Sequence, residues 1–215
     1  MPVRPAAGPR ERDLSELERI GGHVALDLAN TVGWRLRDIR SEWLPTYGAL
    51  LRWSETAGLL SPAEAKRLAR EAERHPDGAR SALARAYALR DAMYEIGFAL
   101  THANVPPEAA LQAIHAARVE ALARARLAPR GARGWATVWD ERAEDLDRAA
   151  WPIAVAAADL LESGELERLR MCEGDGCGWL FLDGSRNRSR RWCSSGDCGN
   201  RERVRRFQAR RRLRG

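Results

Sequence analysis

The sequence predicts a mainly α protein in two parts, a multihelical N-terminal domain with a small β-hairpin and a small cysteine-bearing module at the C-terminus. Apolar residues recur at helical spacing through much of the region from residue 45 to residue 163. All four cysteines lie in the last quarter of the chain, and no run of 18 apolar residues occurs that could span a membrane. We therefore divide the chain into residues 1–12, 13–170 and 171–215.

Residues 1–12 are rich in proline, glycine and arginine, a composition that predicts a disordered arm. The net charge of +6 is unevenly distributed along the chain. Residues 172–215 hold twelve arginines against five acidic residues, a formal charge of +7, whereas residues 1–171 hold 24 basic and 25 acidic residues, a charge of −1. The C-terminal module therefore carries all of the excess positive charge, which suits a polyanionic partner.

Capping residues, prolines and apolar spacing predict where the helices of residues 13–170 begin and end. Ser61 and Glu64 form a capping-box pattern with Pro62 at the first helical position, which starts a helix that ends near His75. Apolar spacing predicts the next helix over 79–101 and another from Glu108. A long alanine-rich helix is expected over 142–163, bent at Pro152 because proline lacks the amide donor.

Two shorter segments are predicted from local patterns. Residues 129–134 are rich in proline, glycine and arginine, and residues 135–139 alternate like a strand, so a small surface hairpin is expected there. Residues 24–32 fit strand and helix spacing alike, and we favour a helix.

His23, Asp27 and Asn30 form a polar group within that segment. In a helix, Asp27 and Asn30 lie on one face because they are three residues apart. Short polar side chains commonly satisfy backbone groups, and this structural role is the favoured interpretation. The alternative is a pocket that binds a small-molecule effector.

The cysteines form two C-x4-C pairs, Cys172 with Cys177 and Cys193 with Cys198. Two chelating pairs of thiolates are the ligand set of a tetrahedral zinc ion, and glycines within each loop permit the tight backbone path. Two disulfides are the alternative, but the N-terminus has no apolar segment typical of a signal peptide. We therefore expect one structural Zn²⁺ in a cytoplasmic protein, and four thiolates leave no open position for catalysis.

The residues around the cysteines predict a treble-clef-like order of knuckle, hairpin, knuckle and helix. The strand-like residues 179–182 end at the turn dipeptide Asp183-Gly184, and residues 190–192 would return as the second strand. A helix is expected from Arg201, docked on the module through Val204 and Phe207, its only apolar stripe. No flexible linker precedes Cys172, so the module should be docked on the helical domain.

The strings Arg190-Arg191-Trp192-Cys193 and Cys198-Gly199-Asn200-Arg201 resemble the signature of the CGNR zinc-finger family. The upstream chain resembles that family's usual N-terminal partner, the ABATE domain, in the segment GGHVALDLANT at 21–31 and in residues 53–60, 89–92 and 149–161. The resemblance extends from about Ile20 to Arg212. It implies a stress-related transcription regulator whose finger binds DNA.

These observations predict a zinc-stabilised DNA-binding regulator without enzymatic activity, because none of the common catalytic or phosphate-binding motifs is present. DNA is favoured over RNA because of the resemblance, and a purely RNA-binding or protein-interaction module is the alternative. A small-molecule effector and a homodimer are open further partners. The predicted nucleic-acid contacts are arginines that flank the second cysteine pair: Arg188, Arg190, Arg191, Arg201, Arg205 and Arg212.

Overall fold

The computed structural model describes residues 10–131 and 133–212. Six α-helices build the N-terminal domain within these residues, and a seventh begins at the last cysteine. The helices are α1 (Val24–Ala29), α2 (Tyr47–Thr56), α3 (Pro62–Arg74), α4 (Pro76–Thr101), α5 (Glu108–Ala123), α6 (Trp151–Glu162) and α7 (Cys198–Arg212). In the part of the chain that the structure describes, none of them combines the length and apolar character needed to cross a bilayer.

Helices α3 and α4 show how capping and proline set helix starts. The Ser61 hydroxyl accepts a hydrogen bond from the Glu64 amide, and the Glu64 carboxylate accepts one from the Ser61 amide, so the predicted capping box is confirmed. Helix α4 begins at Pro76, three residues before the predicted start. Proline is tolerated there because an amide in the first turn needs no helical partner.

Helix α6 differs from the prediction for the same reason. The expected helix over 142–163 begins only at Trp151, after a 3₁₀ turn at Leu146–Ala149. Pro152 therefore lies in the first turn of α6. The predicted bend at Pro152 is wrong, because a proline at this position starts a helix without interrupting its hydrogen bonds.

The strands form three small sheets. Strand β3 (Ser41–Glu42) lies between β1 (Arg10–Glu11), to which it is parallel, and the antiparallel β2 (Val32–Gly33). The predicted surface hairpin is confirmed as β4 (Ala125–Arg130) and β5 (Gly134–Trp139). Residues 1–9 of the predicted disordered arm lie outside the described residues, but the prediction of disorder is wrong for Arg10 and Glu11, which pair with β3.

The third sheet corrects the predicted hairpin of the C-terminal module. Strand β7 (Leu180–Leu182) pairs with β6 (Leu169–Met171), which precedes Cys172, and not with residues 190–192. The chain after β7 forms a loop instead. The buried Asp183 carboxylate closes this loop by accepting hydrogen bonds from the amides of Ser185 and Arg190, at 2.8 and 2.9 Å.

The main core surrounds α1, which packs on α4, α6 and β7. Its largest fully buried side chains are drawn from most helices of the domain and include Leu26, Leu28, Leu50, Trp53, Leu68, Met93, Ile96, Ile114, Ile153 and Leu160. Such burial contributes roughly 1.5–3 kcal/mol per large apolar side chain. The helical domain is therefore stabilised by an ordinary hydrophobic core.

A buried ion-pair network fixes the segment between α1 and α2 on α4. Arg90 of α4 donates from Nη1 to both carboxylate oxygens of Glu42, at 2.9 and 3.0 Å. Arg35 donates to the Ala29 carbonyl and to Asp91, and its guanidinium lies 4.1 Å from the ring of Tyr94. Because these cations are enclosed and paired, the backbone of residues 31–44 is held at several points.

Candidate metal centre and basic helix

The four cysteines converge at the base of α7, and their sulfur atoms all lie within 4.8 Å of one another. All four side chains are buried, and none is joined in a disulfide. The Cys177 and Cys193 sulfurs are 3.8 Å apart, and those of Cys193 and Cys198 are 3.6 Å apart. Tetrahedral zinc with bonds of about 2.3 Å places its sulfur ligands about 3.8 Å apart. The cluster therefore fits a single structural zinc ion.

Hydrogen-bond donors around the sulfurs also suit a thiolate centre. The Cys172 sulfur accepts from the amides of Gly174 and Cys193, at 3.4 and 3.2 Å, and the Cys198 sulfur accepts from Arg201 at 3.0 Å. Such outer contacts orient metal ligands and stabilise their charge. A bound zinc ion would hold both knuckles together through its four bonds.

Gly174 allows the two pairs to approach closely. A Cβ atom at this position would lie 2.9 Å from the Cys198 sulfur and 3.4 Å from the Cys172 sulfur. The first distance is shorter than a side chain can accept without movement of the sulfur. The glycine of the first knuckle is thus required by the second cysteine pair.

The aromatic residues of the module form its small core. Phe181 is fully buried beside the cysteines, and Trp179 and Trp192 pack partly buried against the same cluster. The guanidinium of Arg190 lies 4.2 Å from the Phe181 ring and covers it. These rings are therefore occupied in packing.

Strand β7 joins the module to the helical domain. Leu180 and Leu182 belong to the main core, whereas Phe181 between them faces the cysteines, as alternation along a strand requires. Leu180 lies against Gly97 of α4. A Cβ atom added at Gly97 would come within 2.4 Å of the Leu180 Cδ1 atom. The prediction of a docked module is confirmed, and a single strand supplies side chains to both cores.

Asn30 fixes this strand from the side. Its Nδ2 donates to the Leu180 carbonyl at 2.8 Å, and its Oδ1 accepts from the Leu180 amide at 2.9 Å. The side chain is 1% exposed, so both bonds are shielded from water. Trp179 adds a hydrogen bond from Nε1 to the Val32 carbonyl, 2.9 Å away.

His23 and Asp27 also contact backbone. The His23 Nδ1 accepts from the Ala25 amide at the start of α1, and burial lowers the pKa of His23. The Asp27 carboxylate accepts from the Gly21 amide at 2.8 Å, while burial raises the pKa of Asp27. His23, Asp27 and Asn30 thus bind backbone groups, as the favoured structural interpretation predicts. An effector at this position stays a prediction.

Helix α7 projects from the metal centre into solvent. Cys198 and Gly199 are its only buried residues. Val204 is 47% exposed and Phe207 is 61% exposed. The predicted docking of the helix through these two residues is therefore wrong, because α7 is buried at Cys198 and Gly199 in its first turn instead.

The structure divides the six predicted contact arginines by their partners. Arg190 donates to the backbone carbonyls of Ile20, Trp192 and Cys193, and Arg201 donates to Cys198 and Asp197. Arg191 pairs with Glu173, and Arg205 pairs with Glu202. Arg188 and Arg212 are exposed and have no acidic partner within the described residues. The six therefore differ in how freely they can meet a ligand.

Other arginines of α7 are not among the six predicted contacts. Helix α7 holds seven arginines and a single glutamate. Three of these arginines, Arg203, Arg210 and Arg211, are exposed and lack an acidic partner in residues 10–131 and 133–212, although Arg203 donates to the Ser195 carbonyl. The high density of arginines along the helix is the sequence feature that indicates these three residues, whereas the spacing of apolar residues does not.

Residues 22–164 match the family model of ABATE, described as "Putative stress-induced transcription regulator". The chain belongs to this family. Residues 168–211 match the model of the CGNR zinc finger, so the two ABATE and CGNR segments occur in the predicted order. A search of curated proteins gives no match to the chain. The finger match and the clustered cysteines together support one structural zinc ion.

Proposed function

We propose that this ABATE-family protein is a cytoplasmic DNA-binding transcription regulator in which α7 enters the major groove. The observation that carries the proposal is the exposure of every described α7 side chain from Arg203 to Arg212, on a helix with seven arginines and one glutamate. Fifteen residues make a helix about 22 Å long and, with side chains, about 10–12 Å wide. A major groove about 12 Å wide accepts an element of this size.

The charge of α7 also favours a polyanionic partner. Close arginines repel one another, and Glu202, with side-chain contacts to Arg205 and Arg206, is the one acid of the helix. Phosphates would relieve this repulsion and release their counterions. Arg210 to Arg212 lie in the last turn, where the helix dipole stabilises cations.

Duplex DNA is favoured over duplex RNA on geometric grounds. The major groove of A-form RNA is deep and narrow, so a helix with long side chains does not enter it readily. Within this proposal, Arg188, Arg203, Arg210, Arg211 and Arg212 contact DNA. Arg190 and Arg201 act as positioning residues, since their guanidinium groups bind carbonyls and a cysteine sulfur.

A role in binding without catalysis is part of the same proposal. Four thiolates complete a tetrahedral zinc site, which leaves no position for a water or substrate. A cytoplasmic location fits a centre of four free thiols, because a reducing compartment keeps them available for metal.

A protein-interaction module is the second candidate, and the exposure of Val204 and Phe207 favours it. Two apolar side chains three residues apart on a free helix are a typical feature of helix-in-groove recognition. This candidate predicts binding that depends on Val204 and Phe207 and changes little with salt, whereas the DNA proposal predicts a steep salt dependence.

The test is binding of the zinc-loaded chain to random duplex DNA and duplex RNA across a salt series. The α7 variant is Arg203→Gln with Arg210→Gln, two positions seven residues apart on one helix face. The matched control is Arg126→Gln with Arg130→Gln, two exposed arginines of the β4–β5 hairpin. Two lost phosphate contacts should reduce the slope of log K against log salt by about 1.8, and the control should leave it unchanged.

Either of two results would overturn the proposal. The first is no binding of the zinc-loaded chain to duplex DNA at low salt. The second is an α7 variant that behaves like the control. Equal binding of duplex RNA would remove the preference for DNA and show that α7 reads phosphate charge without regard to groove shape.

A further inference from the structure

A basic groove of about 640 Å³ lies between the N-terminal segment and the ABATE domain. Its lining includes Arg10 and Arg12 from the N-terminal segment and Arg37 and Arg40 from the loop before β3. Asp38 is the one acid among the lining residues. All five of these side chains belong to exposed residues, so the groove presents an excess of positive charge to solvent.

Two of the four arginines have no acidic partner in the part of the chain that the structure describes. Arg12 pairs with Glu16, and Arg37 pairs with Asp175 at 3.1 Å. Neither Arg10 nor Arg40 makes an ion pair with a described residue. Uncompensated arginines side by side repel one another, and an anionic ligand in the groove would remove that repulsion.

The groove is continuous with the base of α7. Trp34 lines the groove, and two guanidinium groups lie near its ring, that of Arg37 at 4.4 Å and that of Arg201 at 4.6 Å from the ring centre. The Asp175 carboxylate contacts Arg37 and also lies 3.9 Å from Arg205. Residues of the domain and of the finger thus share one surface around Trp34.

Backbone and buried contacts hold the groove in place. The Arg10 amide donates to the Arg40 carbonyl at 2.9 Å, which ties the two uncompensated arginines together. Glu42, next to the groove residue Ser41, is bound by the buried Arg90. The Arg35 amide donates to the Cys177 carbonyl at 3.1 Å, so the loop is also fixed to the first knuckle. A backbone that is already fixed lowers the ordering cost of binding.

We propose that this groove is a second contact site for the sugar-phosphate backbone of the duplex that α7 enters. The inference rests on the proposed function and extends the DNA interface from the finger onto the ABATE domain. Phosphate contacts position a protein on DNA, and two sites on one rigid body would fix the direction of α7 in the major groove. The domain therefore takes part in binding and does more than support the finger.

The groove variant is Arg10→Gln with Arg40→Gln, which removes side-chain charge and keeps the backbone bond between these residues. The Arg126→Gln, Arg130→Gln variant removes the same formal charge elsewhere. In DNA binding across the salt series, the groove variant should lose about 1.8 units of log-log slope, while the control loses none. Combining the groove and α7 substitutions should remove about 3.6 units, because contacts on separate phosphates add.

The outcomes separate the inference from the proposed function. If the α7 variant loses slope and the groove variant equals the control, the groove inference is overturned and the function of α7 stands. If the groove variant alone loses slope, the groove is supported and α7 is not the DNA-binding element. If the unmodified chain binds no DNA, both fail. Equal thermal unfolding of the groove variant and the control would show that a loss of slope is not a loss of fold.

Discussion

The helical domain and the finger are held together by different means. The domain buries many large apolar side chains, such as Leu26, Met93 and Ile153. After β7, the buried residues of the described chain are Asp183, Cys193, Cys198 and Gly199. Within β7, Phe181 is the one fully buried large side chain beside the cysteines. A small module cannot bury enough apolar surface to fold alone, so metal bonds take the place of a core.

The boundary between these two modes of stabilisation runs through β7. Leu180 and Leu182 share the hydrophobic core of the domain, and Phe181 shares the metal-centred core. Asn30 secures the strand from the domain side. The two regions should therefore fail separately, and the loss of zinc should spare β7.

The largest expected effect is that of Cys193→Ser. A neutral serine hydroxyl is a poor substitute for a thiolate ligand, so the zinc-to-protein ratio should fall from one to near zero. Residues 193–212 should lose hydrogen-exchange protection and become sensitive to trypsin, whereas the Leu180 amide stays protected by Asn30. Most helical circular dichroism should remain, because α7 has 15 residues and α4 alone has 26.

Ser195→Ala is the control for that experiment, since Ser195 lies exposed in the second knuckle. A Cys193→Ser protein that retains one zinc ion per chain would contradict the four-thiolate centre. Loss of protection at Leu180 together with α7 would show that the two regions unfold as one unit.

Asn30→Ala should have an intermediate effect and act on the other side of the boundary. It leaves the amide and the carbonyl of Leu180 buried without partners, and each unsatisfied group costs about 1–3 kcal/mol. We expect the free energy of unfolding to fall by about 2–4 kcal/mol in urea denaturation. Zinc stoichiometry should be unchanged because the cysteines do not contact Asn30.

The matched control is Asn104→Ala at an exposed position after α4, where a change below about 0.5 kcal/mol is expected. A similarly small effect at Asn30 would mean that β7 is held by its leucines alone. Loss of zinc in the Asn30 variant would mean that domain packing is required to assemble the metal centre.

The smallest expected effect is that of Asp27→Asn, and its sign depends on pH. Burial raises the pKa of Asp27, so the folded state binds a proton more readily than the unfolded state. The native protein therefore gains stability relative to the variant as pH falls through the pKa of folded Asp27. The asparagine oxygen can still accept from the Gly21 amide.

At pH 7 the Asp27→Asn protein should equal or exceed the native protein in stability, by on the order of 1 kcal/mol or less, and this advantage should be smaller at about pH 4, near the ordinary pKa of an aspartate. Urea denaturation at both pH values measures the difference. An advantage that is the same at both would contradict the raised pKa.

Local patterns were sufficient for many elements. The capping box at Ser61, the β4–β5 hairpin and the four clustered cysteines all appear as the sequence predicts. The capping box and the hairpin depend on residues that are close in sequence. The cysteine cluster depends on four thiols in two pairs, which is a typical ligand set for zinc. The helix starts at Pro76 and Trp151 differ from the prediction for one reason, because each has a proline in its first turn, a start that apolar spacing does not show.

Contacts between distant segments explain the remaining errors. Residues 179–182 are apolar and strand-like, but the sequence does not show whether their partner lies before or after them, and the main core selects β6. Val204 and Phe207 are expected to be buried because they are apolar, yet both are exposed, and Cys198 and Gly199 are the buried residues of α7. The basic groove joins Arg10 to Arg40, a pairing made by a parallel β contact that has no local sequence pattern.

Residue type and short spacing are enough to predict the metal ligands, the mainly helical class and the concentration of charge in the last quarter. Tertiary contacts, in contrast, set which arginines are occupied by carbonyls and carboxylates and which face solvent, since a guanidinium group meets its partners across the fold. The same holds for Asn30, which binds a strand 150 residues away.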